Sequence, residues 1–343
     1  MSEKIHAIGF YKSLPISDPH SLEDVQLPAP AATGHDLLVK ISAISVNPVD
    51  IATRKGATDQ TDQPRILGFD AVGTVLQVGK AVTLFQPGDK VYYAGSYSRS
   101  GSYSELQLVD ERIVALAPHK LTDPEAAAMP LTTLTAWEAL FEQLGIDPDD
   151  NTNNSQKSIL IINGAGGVGS VATQLAHWAG LHVYASASRN ESKKWVLEHG
   201  ADEVVDHHHD LVDEVRGLGK QNVDYILELN NLTGHWDEMV ELIAPNGKMC
   251  SITSTQKPVD LTVLKRKRVT FAWEWMFTKS FYQTDDILSQ HEILAKAAAL
   301  FDAGILQTTL QQTLHGITAA TLRKAHAQIE AGHTIGKIVI TKN

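Results

Sequence analysis

The most constraining feature of this chain is a strand that runs straight into a glycine turn: Ser158-Ile159-Leu160-Ile161-Ile162-Asn163, then Gly164-Ala165-Gly166-Gly167-Val168-Gly169. A short continuous apolar run rich in isoleucine predicts a buried strand. The G-x-G-x-x-G spacing after it demands a tight turn, a backbone that approaches a ligand and a helix packed close to the strand. The next segment, "GSVATQLAHWAG", predicts that helix, whose first N–H groups lack intrahelical partners and suit an anion. The loop therefore reads as the pyrophosphate seat of a dinucleotide, with Gly164, Gly166, Gly167 and Val168 as its residues.

Strand and helix keep alternating after the loop: "HVYASA", "ESKKWVLEHG", "DEVVD", "VDYILEL" and "HWDEMVELIA". Then Asn246-Gly247 turns into "KMCSIT", and "RVTFAWEWM" predicts a last, aromatic strand. This pattern predicts an α/β unit, a parallel sheet wound on both faces. From Met1 to about Pro118 the texture differs, with short β-rich runs such as "LLVKISAISVNP", "AVGTVLQVG" and "DKVYYAG" broken by turn residues, as in a small barrel or folded sheet. Asp123-Pro124-Glu125 starts a helix that reaches Gly145 with a break at Pro130, and "IDPDDNTNNSQ" reads as a polar linker. The closing "GKIVI" is a strand without a partner in the α/β unit and is expected to return to the first domain. A chain of 343 residues accommodates both domains. The division is placed at 1–126 with 288–343 for the β-rich substrate domain, and at 127–287 for the nucleotide-binding domain.

An NAD site usually carries an acid about 20 residues beyond the first glycine to bind the ribose 2′-hydroxyl. Here that region reads Tyr184-Ala185-Ser186-Ala187-Ser188-Arg189-Asn190, with no carboxylate before Glu191, and Lys193 follows. Ser186, Ser188, Arg189 and Lys193 suit a 2′-phosphate, so NADPH is the expected cofactor; the alternative is that Arg189 and Lys193 are solvated residues at a helix start.

The formal charge of −11 argues against nucleic acid, since the one dense basic run is Lys265-Arg266-Lys267-Arg268. A lone cysteine, Cys250, in an apolar segment excludes an internal disulfide and fits a reducing compartment. No run approaches the roughly 18 apolar residues of a membrane span, and the N-terminus lacks a signal-peptide core, so a cytoplasmic protein without membrane contact is expected.

The separated segments "SVNPVD", "GDKVYYAG", "LTTLTAWEAL" and "NGAGGVGSVATQLA", in this order, resemble the quinone oxidoreductase branch of the medium-chain dehydrogenase/reductase superfamily. "WEWMFTKSF" and "GKIVI" are similar to proteins labelled zinc-type alcohol dehydrogenase-like. The resemblance implies a Rossmann doubly wound parallel sheet domain plus a β-rich GroES-like domain, a partly open barrel. It also implies a homodimer formed along the aromatic edge strand. Zinc-dependent relatives hold their metal with a cysteine, the histidine of a Gly-His-Glu turn and a second cysteine. The matching positions here are Asn47, Phe69 and Leu131. A catalytic zinc needs three N, S or O ligands, and two of these side chains have no donor atom, so no metal is expected. His207-His208-His209 reads as a solvated turn, because adjacent imidazoles cannot all converge on one ion.

Without a Lewis acid, hydride transfer suits a conjugated acceptor that delocalises the arriving charge, a quinone or an α,β-unsaturated carbonyl, which is also the substrate class the resemblance implies. Asn47 either donates to the substrate carbonyl, fixes a water, or is a structural Asn-Pro turn residue; Asp50 orients Asn47 or nearby backbone, and Thr135 is expected beside the nicotinamide from the resemblance. Asp70 is expected to be structural, paired with Arg65 or Lys55. The proton donor is open among Tyr11, Tyr97, Tyr103 and solvent. Trp273, Trp275, Phe277 and Phe281 either line an acceptor pocket or belong to an interface or the core. Two competing functions are a zinc alcohol dehydrogenase with an unrecognised site and an NADPH-binding redox sensor without turnover.

Overall fold

The computed structural model describes residues 4–58 and 60–342. It divides into two compact units, Met1–Leu131 with Phe277–Asn343, and Thr132–Met276.

The chain begins with β1 (Lys4–Phe10), β2 (Glu23–Pro28) and β3 (Asp36–Val46), then α1 (Pro48–Lys55), β4 (Arg65–Ile66), β5 (Asp70–Val78), β6 (Lys90–Tyr93), β7 (Leu106–Asp110), β8 (Val114–Leu116), α2 (Asp123–Ala127) and α3 (Pro130–Trp137). The latter runs on as a π-turn, Glu138–Gln143. Next come α4 (Asn151–Asn154), β9 (Ser158–Ile162), α5 (Gly167–Trp178), β10 (His182–Ser186), α6 (Asn190–Glu198), β11 (Glu203–Val205), α7 (Leu211–Gly217), β12 (Val223–Glu228), α8 (Leu232–Leu242), β13 (Ile243–Ser251) and β14 (Thr270–Trp273). The chain then returns to the first unit through α9 (Thr278–Tyr282), α10 (Ser289–Ala303), β15 (Leu310–His315), α11 (Ala319–Glu330) and β16 (Lys337–Thr341).

In the first unit β3 organises the larger sheet. From Leu37 to Ser45 it pairs antiparallel with β5, while its other edge is shared, β7 taking Asp36 to Lys40 and β16 taking Ala43 to Val46. The final strand thus does return to the N-terminal sheet. Ser45 lies opposite Asp70, and Val46 opposite Ile338. The C-terminal end of β3 and the starts of β5 and β16 therefore meet at one corner, and the polar site is built there. The apolar sides of these strands, including Val39, Ile44, Val75 and Ile340, close on Phe10, Leu22 and Val91 in one core.

In the second unit six strands run parallel in the order β11-β10-β9-β12-β13-β14. The all-apolar stretch of β9 lies mid-sheet and is buried throughout, as strands covered on both faces are. Order reverses between β9 and β12, which opens the crevice at their C-terminal ends where such sheets take ligands. "IDPDDNTNNSQ" is not an open linker. It contains α4, held by Asn154 Nδ2, which donates to the carbonyls of Asp147 (2.7 Å) and Ala179 (2.8 Å). Cys250 is buried in β13. Among the described residues no helix is long and apolar enough to cross a membrane.

Candidate active site

In the first unit Asn47 follows the last residue of β3 and caps α1, with Pro48 at the first helical position. Its backbone N–H donates to Asp50 Oδ2 at 2.8 Å, while Asp50 Oδ1 accepts from Gly68 N–H at 2.9 Å. Gly68 has φ +96°, and a Cβ there would lie 2.3 Å from the Tyr103 ring. A glycine is required on both counts. The turn it makes delivers Phe69 and Asp70 to the corner of the sheet.

Asp70 is where the expected ligand positions converge. Its Oδ2 accepts from Asn47 Nδ2 (2.8 Å) and Lys337 Nζ (3.2 Å), and its Oδ1 accepts from Leu131 N–H (2.7 Å). Lys337 also donates to Asn47 Oδ1. Asn47, Asp50, Asp70 and Lys337 are all buried. Both ends of the Asn47 amide thus already have partners within this cluster. The partner of Asp70 is Lys337 rather than Arg65 or Lys55: Lys55 pairs with Glu330 at 2.8 Å, and the Arg65 guanidinium lies 5.8 Å over the Tyr97 ring. Burial lifts the Asp50 carboxyl from 3.8 to about 7, against the pull of the Asn47 and Gly68 N–H groups and of Lys337.

Of the three tyrosines raised as proton donors, Tyr103 is fully buried, with its hydroxyl 3.1 Å from His326 Nε2. Burial, then the charge of Asp50, push its phenol well above the usual range. Tyr97 instead lines a cavity of about 300 Å³ together with Arg65, Gly68, Phe69 and Arg99. Phe69 stacks on Tyr97 (6.0 Å, 5°) and tilts against Phe277 (4.6 Å), and Phe281 meets Tyr97 at 6.3 Å. Two of the four late aromatics therefore pack against the cavity-lining rings of Phe69 and Tyr97 in this unit. Trp273 and Trp275 lie in the second unit, exposed on and just after β14.

Thr135 is placed in the second unit, buried on α3. There Gly164 and Gly169 permit close packing: a Cβ at Gly164 would lie 2.8 Å from Ala185 Cβ, and one at Gly169 only 2.2 Å from the Asn163 carbonyl oxygen. Gly166 is the N-cap of α5 and brings no side-chain cap, which leaves this helix start suited to an anion. Ser186 is fully buried. Its Oγ accepts from Asn163 N–H (2.8 Å) and meets His207 Nδ1 (3.2 Å), so this hydroxyl braces the glycine turn. Ser188 is half-buried and Arg189 exposed at the end of β10. Lys193 reaches Asp206 at 2.8 Å. The three histidines are not uniformly solvated: His207 is half-buried against Ser186, and burial, with His208 beside it, holds its imidazole below the ordinary range.

Glu228 was not among the residues expected at the site. It is fully buried at the end of β12, where it accepts from Asn230 N–H (2.5 Å), Asn231 N–H, Ser251 Oγ (2.7 Å) and Thr253 Oγ1 (2.6 Å). It ties together the turns after β12 and β13 beside the crevice. An acid closing the apolar strand "VDYILE" is the signal that could have found it.

A doubly wound sheet with a glycine turn at its switch point, and a separate sheet unit with a buried polar corner, define an oxidoreductase of the alcohol dehydrogenase architecture. The alcohol dehydrogenase GroES-like domain family matches residues 33–119, and the zinc-binding dehydrogenase family matches residues 199–340. The chain is 41% identical over 334 residues to the zinc-type alcohol dehydrogenase-like protein of Staphylococcus epidermidis (strain ATCC 12228 / FDA PCI 1200), covering 97% of this chain and 98% of the relative. A crystal structure from Rhizobium etli CFN 42, provisionally described as a zinc-dependent alcohol dehydrogenase, superposes with TM-score 0.94 and 43% identity over 99% of each chain. The fold is also that of Escherichia coli quinone oxidoreductase complexed with NADPH (TM-score 0.80, 23% identity, 98% of this chain and 99% of that one). The chain belongs to the zinc-type alcohol dehydrogenase-like family of the medium-chain dehydrogenase/reductase superfamily.

The family name implies zinc, but the residues do not fit it. Phe69 and Leu131 offer no donor side chain, and the Asn47 amide is held between Asp70 and Lys337. Among the described residues no group of three or more His, Cys, Asp or Glu side chains could hold a metal ion.

Proposed function

We propose that this protein is a zinc-independent, NADPH-dependent reductase of quinones or α,β-unsaturated carbonyls. The observation that carries this is the corner at Asp70, where the positions of the zinc ligands hold Asn47, Phe69 and Leu131 and the cation present is Lys337. A buried ammonium already hydrogen-bonded to a carboxylate and an amide does not offer the open coordination position that a ketone would need. A conjugated acceptor needs less, because its own π-system spreads the charge.

Bound NADPH supplies the hydride. Gly164, Gly166, Gly167 and Val168 would seat its pyrophosphate, and Ser188, Arg189 and Lys193 its 2′-phosphate, with Ser186 bracing the turn. Arg189 and Lys193, the latter paired with Asp206, would together discriminate against NADH. Asn47 and Asp50 keep the corner rigid, Thr135 borders the nicotinamide, and Phe69 and Tyr97 wall the acceptor. Tyr97 is the candidate donor of the final proton, with solvent as its substitute. The homodimer proposed with this function pairs the β14 edges, where Trp273 is 51% exposed.

The test gives purified protein NADPH or NADH with an ortho-quinone and a simple enone, and NADP with a primary alcohol, each with and without chelator. NADPH oxidation that chelator leaves unchanged is expected. Alcohol oxidation abolished by chelator would establish the zinc enzyme instead, and tight NADPH binding without any turnover would establish the sensor. Arg189→Ala should weaken NADPH relative to NADH.

A further inference from the structure

The cavity beside Phe69 has a charge opposite to that of the chain. Its lining contains Arg65 and Arg99, no carboxylate, the hydroxyls of Ser98 and Ser100, and the rings of Phe69 and Tyr97. The whole chain carries −11. Two guanidinium groups at one aromatic-walled cavity of such a protein are a local arrangement, not a reflection of a basic surface.

The two arginines are in different states. Arg99 is tied to Asp36 at 2.8 Å, so its charge is largely answered within the protein. Arg65 is exposed on β4, which pairs with β1 through Arg65 and Phe10. It forms no ion pair among the described residues, and its guanidinium is poised 5.8 Å over the Tyr97 ring. That cation–π contact leaves its in-plane N–H fork able to take two oxygens of an oxyanion. At about 300 Å³ the cavity is at the small end of ligand sites, suited to one or two fused rings.

Resting on the acceptor class proposed above, we propose that the cavity selects aromatic acceptors that carry an anionic substituent, the ring lying against Phe69 and Tyr97 and the anion on Arg65. A charge-assisted hydrogen bond to an oxyanion is worth roughly tenfold or more in selectivity.

Two measurements test this together. The first compares kcat/KM for 1,2-naphthoquinone-4-sulfonate and 1,2-naphthoquinone with NADPH, in wild type, Arg65→Gln and Arg65→Lys. The second titrates naphthalene-2-sulfonate into the same proteins by calorimetry. The sulfonate is expected to be preferred about tenfold, with the ratio collapsing in Arg65→Gln and partly kept in Arg65→Lys, and with binding of the naphthalenesulfonate weakened in parallel. Equal use of both quinones by the wild type, or a ratio that Arg65→Gln leaves unchanged, overturns the assignment. Should neither quinone be reduced, the proposed function fails. The calorimetry still decides on the cavity: binding weakened by Arg65→Gln supports it, and absent or unaffected binding overturns it.

Discussion

Replacing Lys337 by methionine isolates the energetics of the corner where a metal ligand set would stand. Lys337 Nζ is 3.2 Å from Asp70 Oδ2, and the two side chains are 4% and 0% exposed. At that separation an effective dielectric of 20 gives an attraction of roughly 5 kcal/mol. Lys337→Met removes the attraction but leaves the Asp70 carboxylate in place, held only by Asn47 Nδ2 and the Leu131 N–H. Breaking one side of a buried pair destabilises by roughly 3 to 5 kcal/mol. In Lys337→Met/Asp70→Asn neither charge remains, and the new amide oxygen still accepts from Leu131. The double variant should then recover about 2 kcal/mol or more of the loss, which is the coupling expected of side chains in direct contact. Hydrogen exchange of the amides in β16 and in the paired half of β3, together with urea denaturation, reads both quantities. If the double variant loses the sum of the two single losses, Asp70 and Lys337 do not act on each other and the electrostatic account of the corner is refuted.

The pH profile provides a second check. Burial raises Asp50 from 3.8 to about 7, so between those values the folded chain keeps a proton that the unfolded chain has lost, and stability falls as pH rises. Burial, then the charge of Arg54, lower His326 from 6.5 to about 3, so there the unfolded chain takes up a proton that the folded chain refuses, and stability rises with pH. The two slopes, each roughly 1.4 kcal/mol per pH unit, oppose one another. Between about pH 4 and 6.5 the slope is expected to shift toward rising with pH in Asp50→Asn and toward falling in His326→Gln, each relative to wild type; slopes unchanged in both variants would contradict it. In the glycine turn, Gly169→Ala places a methyl group against backbone and should unfold the second unit by circular dichroism. Gly166→Ala meets chiefly the Asn163 side chain, and should keep the fold but weaken NADPH binding at least tenfold by fluorescence, a loss of roughly 1.4 kcal/mol. Light scattering should give twice the 37.4 kDa chain mass, reduced to the chain mass by Trp273→Glu.

What the sequence made legible is what neighbouring residues decide. The strand, glycine turn and helix from Ser158 to Trp178 lie within one local motif, and side chains without donor atoms at Phe69 and Leu131 can be judged by chemistry alone. The partner of Asp70 belongs to another category. Arg65 and Lys55 are close in sequence, but the register of β16 on β3 brings in a residue 267 positions away, and no periodicity encodes which strand lies alongside which. His207 is similar. As one of three consecutive histidines it has the composition of a solvated turn, yet β11 pairs with β10 so that Ser186 faces Val205, and the residue two further on falls within reach of the serine.

The shared edge of β3 has a consequence for the order in which this protein is made. Asp70 leaves the ribosome early, and Lys337 follows 267 residues later. At 5 to 20 residues per second that interval is roughly 10 to 50 seconds. Throughout it the whole nucleotide-type sheet is synthesised and free to fold, while the first unit lacks both its counter-ion and one of its strands. The β-rich half, although it comes first in the chain, is completed last.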